Sequence, residues 1–474
     1  MMTKTFVGSR LRQLRTERGL SQVALAKTLE ISPSYLNQIE HDVRPLTVPV
    51  LLRITEVFGV DATFFSPQDS TRLIAEMREV LLDEHVGSDA GPAPDASELA
   101  QLATAHPQIA RALVSLHQRY RNATDQLGAL TEGRSGDANA PGIISMPHEE
   151  VRDYFYQRQN YLDELDAAAE DMTQRLRLHR GDILREIAQR LEHQHDVHIV
   201  KRIDLGDNVL HRYDRDSRTM EFAAQLLPGQ RAFRMATELA FLEFGDLLER
   251  LADEGNFSTA EARSLGIKGL ANYFAAATVL PYRQFHDAAE EFRYDIERLS
   301  TFFSAGFETV CHRLSTLQRP NLRGVPYSFV RVDRAGNMSK RQSATGFHFN
   351  ASGGTCPLWS VYETFAEPGK IVRQVAQMPD GRNYLWVART ATRRASRYGQ
   401  PGKTFAIGLG CELRHAHRTV YGDGLDLTGA AATPIGSGCR VCERLECPQR
   451  AFPQIGKPLE IDEHRSTVSP YTVQ

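Results

Sequence analysis

Six cysteines and two tryptophans in 474 residues, and no apolar run approaching the roughly 20 residues needed to cross a bilayer, set the first limits on this chain. So few cysteines exclude a disulfide-stapled scaffold. The lack of a long apolar run excludes a helical membrane span, and no membrane partner is expected. The opening "MMTKTFVGSRLRQLRTERG" enters a charged amphipathic pattern without the apolar core and small-residue cleavage site of a secretory leader. The chain is therefore expected in the cytoplasm, where thiols stay reduced and a tight cysteine cluster points to metal. With 41% apolar and 24% charged residues the composition is that of an ordinary globular protein, with room for roughly three domains at about 150 residues each. The net charge of −3 conceals an imbalance: Cys311 to Val420 holds 17 Lys and Arg against 5 Asp and Glu, leaving 39 against 54 elsewhere. A segment that basic is expected to face DNA backbone, nucleotide phosphates or the acidic remainder of its own chain or of a partner subunit.

What the sequence does contain begins with "SQVALAKTLEISPSYLNQIEHDVRP". Ser21 reads as the N-cap of a helix with Val23, Ala26 and Leu29 inward, and Ser32 before Pro33 reads as a second N-cap with proline at the first helical position. Two helices across a short turn make a helix-turn-helix, whose second helix enters the major groove. Leu36 and Ile39 would face inward, leaving Ser34, Tyr35, Asn37, Gln38 and His41 for bases or phosphates. Gln22 and Ser32, at the helix starts, are expected beside phosphates. An Arg-rich first helix (Arg10, Arg12, Arg15, Arg18) and "TVPVLLRITEVFGV" complete the unit near Phe65. Residues 8 to 65 resemble the repressor-type helix-turn-helix domains, which usually bind DNA as dimers.

Residues 69 to 86 and 97 to 134 read as amphipathic helices separated by "HVGSDAGPAPDASE", and a second break, "EGRSGDANAPG", spans 132 to 142. The helices between are candidates for a dimer contact. In the next stretch, a zinc peptidase would need H-E-x-x-H, because i and i+4 set both imidazoles on one helical face. This chain has Thr237-Glu238-Leu239-Ala240-Phe241, which keeps the Glu and loses both histidines. "GLANYFAAATVLPYRQF" resembles the second helix of the same peptidases, the ImmA/IrrE-like group, yet Lys268, Gly269 and Leu270 stand where a carboxylate ligand belongs. Without its ligands the scaffold is expected to be a small-molecule pocket floored by Thr237, Phe241, Asn272 and Tyr273. Tyr154, Arg158 and Tyr161, at i, i+4 and i+7, are expected on one helical face, a grouping suited to an acyl thioester with phosphates or to a protein interface.

The last domain reads as two hairpins, turning at Gly336-Asn337 and Asp380-Gly381. Cys411 comes after them, and "CRVCERLEC" supplies Cys439, Cys442 and Cys447. Those four thiols form the expected metal set, with Cys356 or Cys311 as alternatives for the fourth position and His415, His417 and His464 close enough in sequence to join a mixed site. The 2-then-4 spacing and the proline after Cys447 favour a 4Fe-4S cluster over a structural zinc.

Together, "ISPSYLNQIEHDVRPLTVPVLLRITEVFGVDATFF", "MPHEEVRDYFYQRQNYL", "RMATELAFLEFGD", "LANYFAAATVLPYRQFH", "GFHFNASGGTCPLW", "FAIGLGCELRHAH" and "CRVCERLECPQRAFP" resemble the actinobacterial short-chain fatty acyl-CoA regulators of the RamB and PrpR type over nearly the full length. The resemblance implies a non-enzymatic transcriptional regulator of the glyoxylate shunt or methylcitrate cycle, with an acyl-CoA effector, a 4Fe-4S cluster, operator DNA and a second copy as partners. The expected fold is multidomain and mainly α with α+β. It comprises an all-α helix-turn-helix domain (1–66), a helical linker or dimerisation region (67–142), a degenerate metalloprotease-like α+β domain (143–305) and a C-terminal α+β iron-sulfur domain (306–474). The rivals are a zinc peptidase acting on a repressor and a phage or toxin-antitoxin repressor answering to a protein partner.

Overall fold

The structure is a computed structural model. It describes residues 8–18, 20–41, 43–44, 46–58, 68–81, 96–131, 147–176, 182–206, 209–345, 347, 356–393, 399, 402–436, 438–440, 442–454, 459, 461, 464 and 468. The break expected at 132 to 142, most of the one around 82–95, and most of "GFHFNASGG" lie outside these residues. Contacts divide the chain into two units, Met1–Gln118 and Arg119–Gln474.

In the first unit α1 (Gly8–Glu17), α2 (Gln22–Thr28), α3 (Pro33–Glu40) and α4 (Val48–Phe58) enclose Leu11, Leu25, Leu29, Leu36, Ile39 and Ile54. The two serine caps form as expected: Ser21 Oγ accepts from Ala24 N and Ser32 Oγ from Tyr35 N, each at 3.1 Å. Val23 corrects the expectation. It is 66% exposed in the first turn of α2, and the buried face is Leu25, Ala26 and Leu29. Beyond them α5 (Gln68–Leu81), α6 (Ala96–Ala105) and the start of α7 (Pro107–Thr131) share a small core of Leu73, Met77, Leu99 and Ala110.

The second unit begins with α8 (Pro147–Gln157), α9 (Asp163–Arg175) and α10 (Ile183–His195). A small sheet comes next, β1 (His198–Arg202), β2 (His211–Asp214) and β3 (Thr219–Ala223), with β3 central, parallel to β1 and antiparallel to β2. Then come α11 (Pro228–Glu243), α12 (Gly245–Asp253) and α13 (Ala260–Val279). Met220 and Phe222 of β3 pack with Ala236 and Leu239 of α11 and with Leu270 and Phe274 of α13. Beyond α13, α14 (Tyr282–Glu291), α15 (Ile296–Phe303) and α16 (Phe307–Leu314) lead into β4 (Ser328–Val332), β5 (Met338–Ser343), β6 (Val372–Gln377), β7 (Asn383–Arg393), β8 (Lys403–Glu412) and β9 (Thr433–Pro434). These form one sheet in the order β5-β4-β8-β7-β6-β9.

Alternation along β8 fixes the surroundings of its cysteine, because successive side chains point to opposite faces. Ile407, Leu409 and Cys411 enter the core under α14–α16, whereas Ala406 faces the second core with Trp359 and Trp386. Gly408 and Gly410 share that second face: a Cβ on Gly410 would lie 2.7 Å from the Trp386 ring, and one on Gly408 2.8 Å from Val330. The bare strand lets Trp386 lie across it, edge-on to Trp359 with ring centroids 4.7 Å apart. Part of the basic stretch is matched within the unit: Arg313, Arg319, Arg331, Arg389 and Arg418 pair with Asp166, Glu170, Glu308, Glu297 and Glu290. Of the three anionic partners expected for that stretch, these five arginines take the chain's own carboxylates.

Candidate functional sites

The residues expected to read DNA lie on and around α3. Leu36 and Ile39 are fully buried, Ser34, Asn37 and His41 are exposed, and Tyr35 and Gln38 are half-buried. Its anchor is Glu40, which is 2% exposed and accepts from Arg15 Nε at 2.7 Å and from Gln22 Nε2 at 2.9 Å. Gln22 Nε2 also lies 3.1 Å from Asn37 Oδ1. Its amide nitrogen thus bridges Asn37 and Glu40 on α3. Ser32 Oγ serves the Tyr35 N–H, Arg44 lies over the Tyr35 ring, and His41 Nδ1 is 2.8 Å from the Asn37 carbonyl.

In the second unit the helical face expected for Tyr154, Arg158 and Tyr161 does not form. Helix α8 ends at Gln157, and Gln159 and Asn160 adopt left-handed backbone (φ 50° and 59°) that turns the chain away. Tyr154 is buried, its hydroxyl donating to the Leu251 carbonyl at 2.9 Å, and Arg158 covers its ring at 3.9 Å. Tyr161 instead helps line an open cleft of about 570 Å³, together with Arg158, Gln318, Arg319 and Arg323. That volume suits a small-molecule ligand; the walls carry three guanidiniums beside Asp163, with Arg158 paired to Glu254 and Arg319 to Glu170.

The cleft is braced from beneath. Arg319 donates to Glu170 Oε2 at 2.7 Å and to the Tyr161 hydroxyl at 3.0 Å, and it lies 4.1 Å above the Tyr282 ring. One helical turn before Glu170, Asp166 forms an ion pair with Arg313 in which neither side chain is more than 1% exposed. Tyr273 donates to Asp166 Oδ2 at 2.6 Å, and Arg313 Nε donates to the Leu280 carbonyl at 3.0 Å. Burial, then the Asp166 charge, holds the Tyr273 phenol well above its ordinary range, so it stays protonated as a donor. Gln318 Nε2 and both amide atoms of Asn160 are buried without hydrogen-bond partners among the described residues. Gln318 lines the cleft, and an orphaned buried donor there is costly unless a ligand or water meets it.

The remnant of the peptidase site lies elsewhere in the unit. Thr237 Oγ1 is 3.5 Å from Asn272 Oδ1 and donates to the Phe233 carbonyl, while Phe241 packs against the core beneath. Tyr273, the neighbour of Asn272, points the other way, toward Asp166, so the four expected floor residues do not share one surface. Burial raises Glu238, favouring its protonated form, and burial with Arg234 and Lys268 lowers His211 to about 4. Among the described residues no three of His, Cys, Asp and Glu stand at metal-holding spacing.

Cysteine placement also departs from expectation. Cys411 is fully buried under α14–α16, opposite Leu385 in the β7–β8 register, and burial pushes its thiol up to about 12 beside Glu412 and Arg418. The parity of β8 keeps it off the face that carries the cysteine-rich tail. Cys356, the alternative, lies in the core on that other face. Its thiol, raised first by burial, accepts from the backbone N–H of Gly436 and Leu358 and feels Cys442 and Cys439. Cys442 in turn accepts from Arg444 N and feels Cys447, and Ala451 N lies 3.5 Å from Cys439 Sγ. Cys311 is buried in the same core as Cys411. The sulfurs are chemically suited to a thiophilic metal and receive backbone N–H donors, but among the described residues no three of them stand at metal-holding spacing.

Family models match successive stretches: a helix-turn-helix over 11–65, an IrrE N-terminal-like domain over 192–315, and the C-terminal domain of the short-chain fatty acyl coenzyme A regulators over 316–471. The chain is 69% identical over 476 residues, covering all of both proteins, to the HTH-type transcriptional regulator RamB of Mycobacterium tuberculosis. The chain belongs to the short-chain fatty acyl-CoA regulators. It is 47% identical to another, the HTH-type transcriptional regulator PrpR of the same organism, over 99% of this chain and 96% of that one. A solved structure titled Mycobacterium tuberculosis transcriptional regulator superposes with a TM-score of 0.67 at 50% identity, over 69% of this chain and 99% of that chain. As a member of this family the protein is a DNA-binding transcriptional regulator of short-chain fatty acid metabolism. The sequence pattern did not single out Arg319, Gln318 or Arg323, nor the pairing of Arg313 with Asp166, which joins residues 147 apart in the chain.

Proposed function

We propose that the regulator binds a short-chain acyl-CoA in the cleft after α8 and that binding changes its affinity for operator DNA. The observation that carries this is the cleft itself: Arg158, Arg319 and Arg323 line it and can meet phosphates, and Gln318, whose Nε2 is buried without a partner among the described residues, stands in its wall. A ligand phosphate at Arg319 would compete with Glu170 and Tyr161 for the same guanidinium and so bear on α9. The ligand biases DNA binding only as far as it favours one arrangement of the protein over another. No reaction on the ligand is proposed, because Thr237 and Phe241 stand where two zinc ligands would be needed.

Cys356, Cys439, Cys442 and Cys447 are the residues that would hold a 4Fe-4S cluster, or zinc in its place. When bound, the cluster would tie the 356 segment to the tail and supply a centre sensitive to oxygen and iron. A homodimer is also proposed. Ile109 and Leu116, one heptad apart on α7, are 60% and 66% exposed, a stripe suited to a second copy. The test is a thermal-shift series with acyl-CoAs of two to six carbons, run beside fluorescence anisotropy on a duplex selected in vitro. A melting rise of several degrees with one chain length, together with a changed DNA midpoint, is expected. No shift at saturating ligand would reject the reading.

A further inference from the structure

One wall of the cleft is a braced loop, and that loop presents a buried amide with nothing to bind. Gly324 N donates to the Leu317 carbonyl at 3.0 Å, which closes residues 317–324. Tyr282 spans the loop, its hydroxyl accepting from Arg319 N at 2.8 Å and donating to the Leu322 carbonyl at 3.0 Å. Gln318 N donates to the Thr316 carbonyl at 2.8 Å, and the Thr316 hydroxyl accepts from Arg313 Nη1 at 3.1 Å. The backbone is thus fixed on both sides of Gln318. The side chain is 5% exposed, and its Nε2 has no hydrogen-bond partner among the described residues.

An amide donor taken out of water and left unmet is destabilising, and a residue in a ligand cleft carries that cost when the ligand relieves it. The position of Gln318 in the cleft says which part of a ligand it meets. Gln157, Gln159, Asp163 and Pro320 are exposed and the arginines half-buried, whereas Gln318 is buried, so it marks the closed end. An acyl-CoA carries its charges on its phosphates, which are costly to desolvate, and tapers to an uncharged acyl thioester. The thioester is therefore the end that enters the closed part of the cleft, with the phosphates left on the open side among the arginines. What separates a thioester from the thiol of free coenzyme A is a carbonyl oxygen, which only accepts. The terminal torsion of a glutamine is broad, so a modest rotation turns Nε2 toward such an oxygen.

We infer that Gln318 is the residue by which the cleft tells an acyl thioester from free coenzyme A, its Nε2–H donating to the thioester carbonyl oxygen. The inference rests on the acyl-CoA reading given under the proposed function and adds the basis of its preference. Free coenzyme A leaves the donor unmet, and a site built to hydrogen-bond a ligand group rejects the analogue that lacks it. A regulator built this way answers to the acylated part of the coenzyme A pool.

The test uses the full chain, as wild type and as Gln318→Met, which keeps the length of the side chain and removes the donor. Isothermal titration measures affinity for acetyl-CoA and propionyl-CoA, for the thioethers S-ethyl-CoA and S-propyl-CoA, in which a methylene replaces the carbonyl, and for reduced free coenzyme A. Wild type should bind the better thioester at least about tenfold more tightly than its thioether and than free coenzyme A. Gln318→Met should bind the thioether within about threefold of wild type and show no preference for the thioester. If a melting curve shows Gln318→Met to be unfolded, Gln318→Glu replaces it, since an ionised carboxylate of the same shape only accepts, and the ratio of thioester to thioether affinity should again fall to about one. A wild type that binds thioester and thioether equally would overturn the inference, as would a variant that keeps the wild-type ratio. A wild type that binds none of these ligands overturns the acyl-CoA reading of the cleft, and this inference with it.

Discussion

Arg313→Met provides a direct test of how the floor of the cleft is held. The change removes a guanidinium that is 1% exposed and leaves the fully buried Asp166 carboxylate with the Tyr273 hydroxyl as its remaining side-chain partner. It also frees the Leu280 carbonyl and Thr316 Oγ1. Removing one member of a buried pair costs about 3–5 kcal/mol, because the other charge stays desolvated without compensation. The double variant Asp166→Asn/Arg313→Met buries no charge at this site, so its cost should be well below the sum of the two single changes. Both tryptophans lie in the second unit, so urea unfolding monitored by tryptophan emission reports on it. The expected result is a loss of about 3–5 kcal/mol in Arg313→Met, with at least about 1 kcal/mol regained in the double variant. A single variant within about 1 kcal/mol of wild type, or strictly additive costs, would refute the argument that this pair organises the floor.

Three further outcomes are expected. Ser32→Ala removes the oxygen that accepts from Tyr35 N, costs about 1 kcal/mol of helix stability, and should weaken binding to a selected duplex severalfold without altering the slope against salt; unchanged affinity would contradict the role given to the cap. His211 titrates near 4 when folded and near 6.5 when unfolded, so the stability that comes from its neutral form is complete above about 6.5 and is lost as pH falls toward 4. His211→Asn, which cannot titrate, should gain on wild type in urea midpoint between pH 7.5 and pH 5, and a constant or opposite difference would contradict the assignment. Cys356→Ser should lower iron bound per chain while Cys411→Ser leaves it unchanged, as measured by iron analysis of protein purified without oxygen, and the reverse would restore Cys411 to the metal set.

Which features were legible in the sequence depends on the range of the interactions that make them. The helix-turn-helix could be read because its signals are local: serine caps and Pro33 lie within a few residues of the bonds they make. The hairpins could be read because Gly336 and Gly381 take the positive φ their turns require. The Tyr154–Tyr161 face failed because the left-handed turn is made by Gln159 and Asn160, with no glycine or proline to announce it. The face that Cys411 occupies had a local signal, since the alternation of "FAIGLGC" sets it with Ile407 and Leu409. Arg313–Asp166 and Arg319–Glu170 join residues 147 and 149 apart and leave no local trace.

Isothermal titration of acetyl-CoA and propionyl-CoA into the wild-type chain and into Arg319→Gln addresses the cleft itself. Saturable binding of at least one of them to wild type, near one per chain and at least about tenfold weaker in Arg319→Gln, is the result that three guanidiniums around a 570 Å³ cleft require. Equal affinity in both proteins, or no heat at saturating ligand, would place the effector elsewhere or remove it altogether.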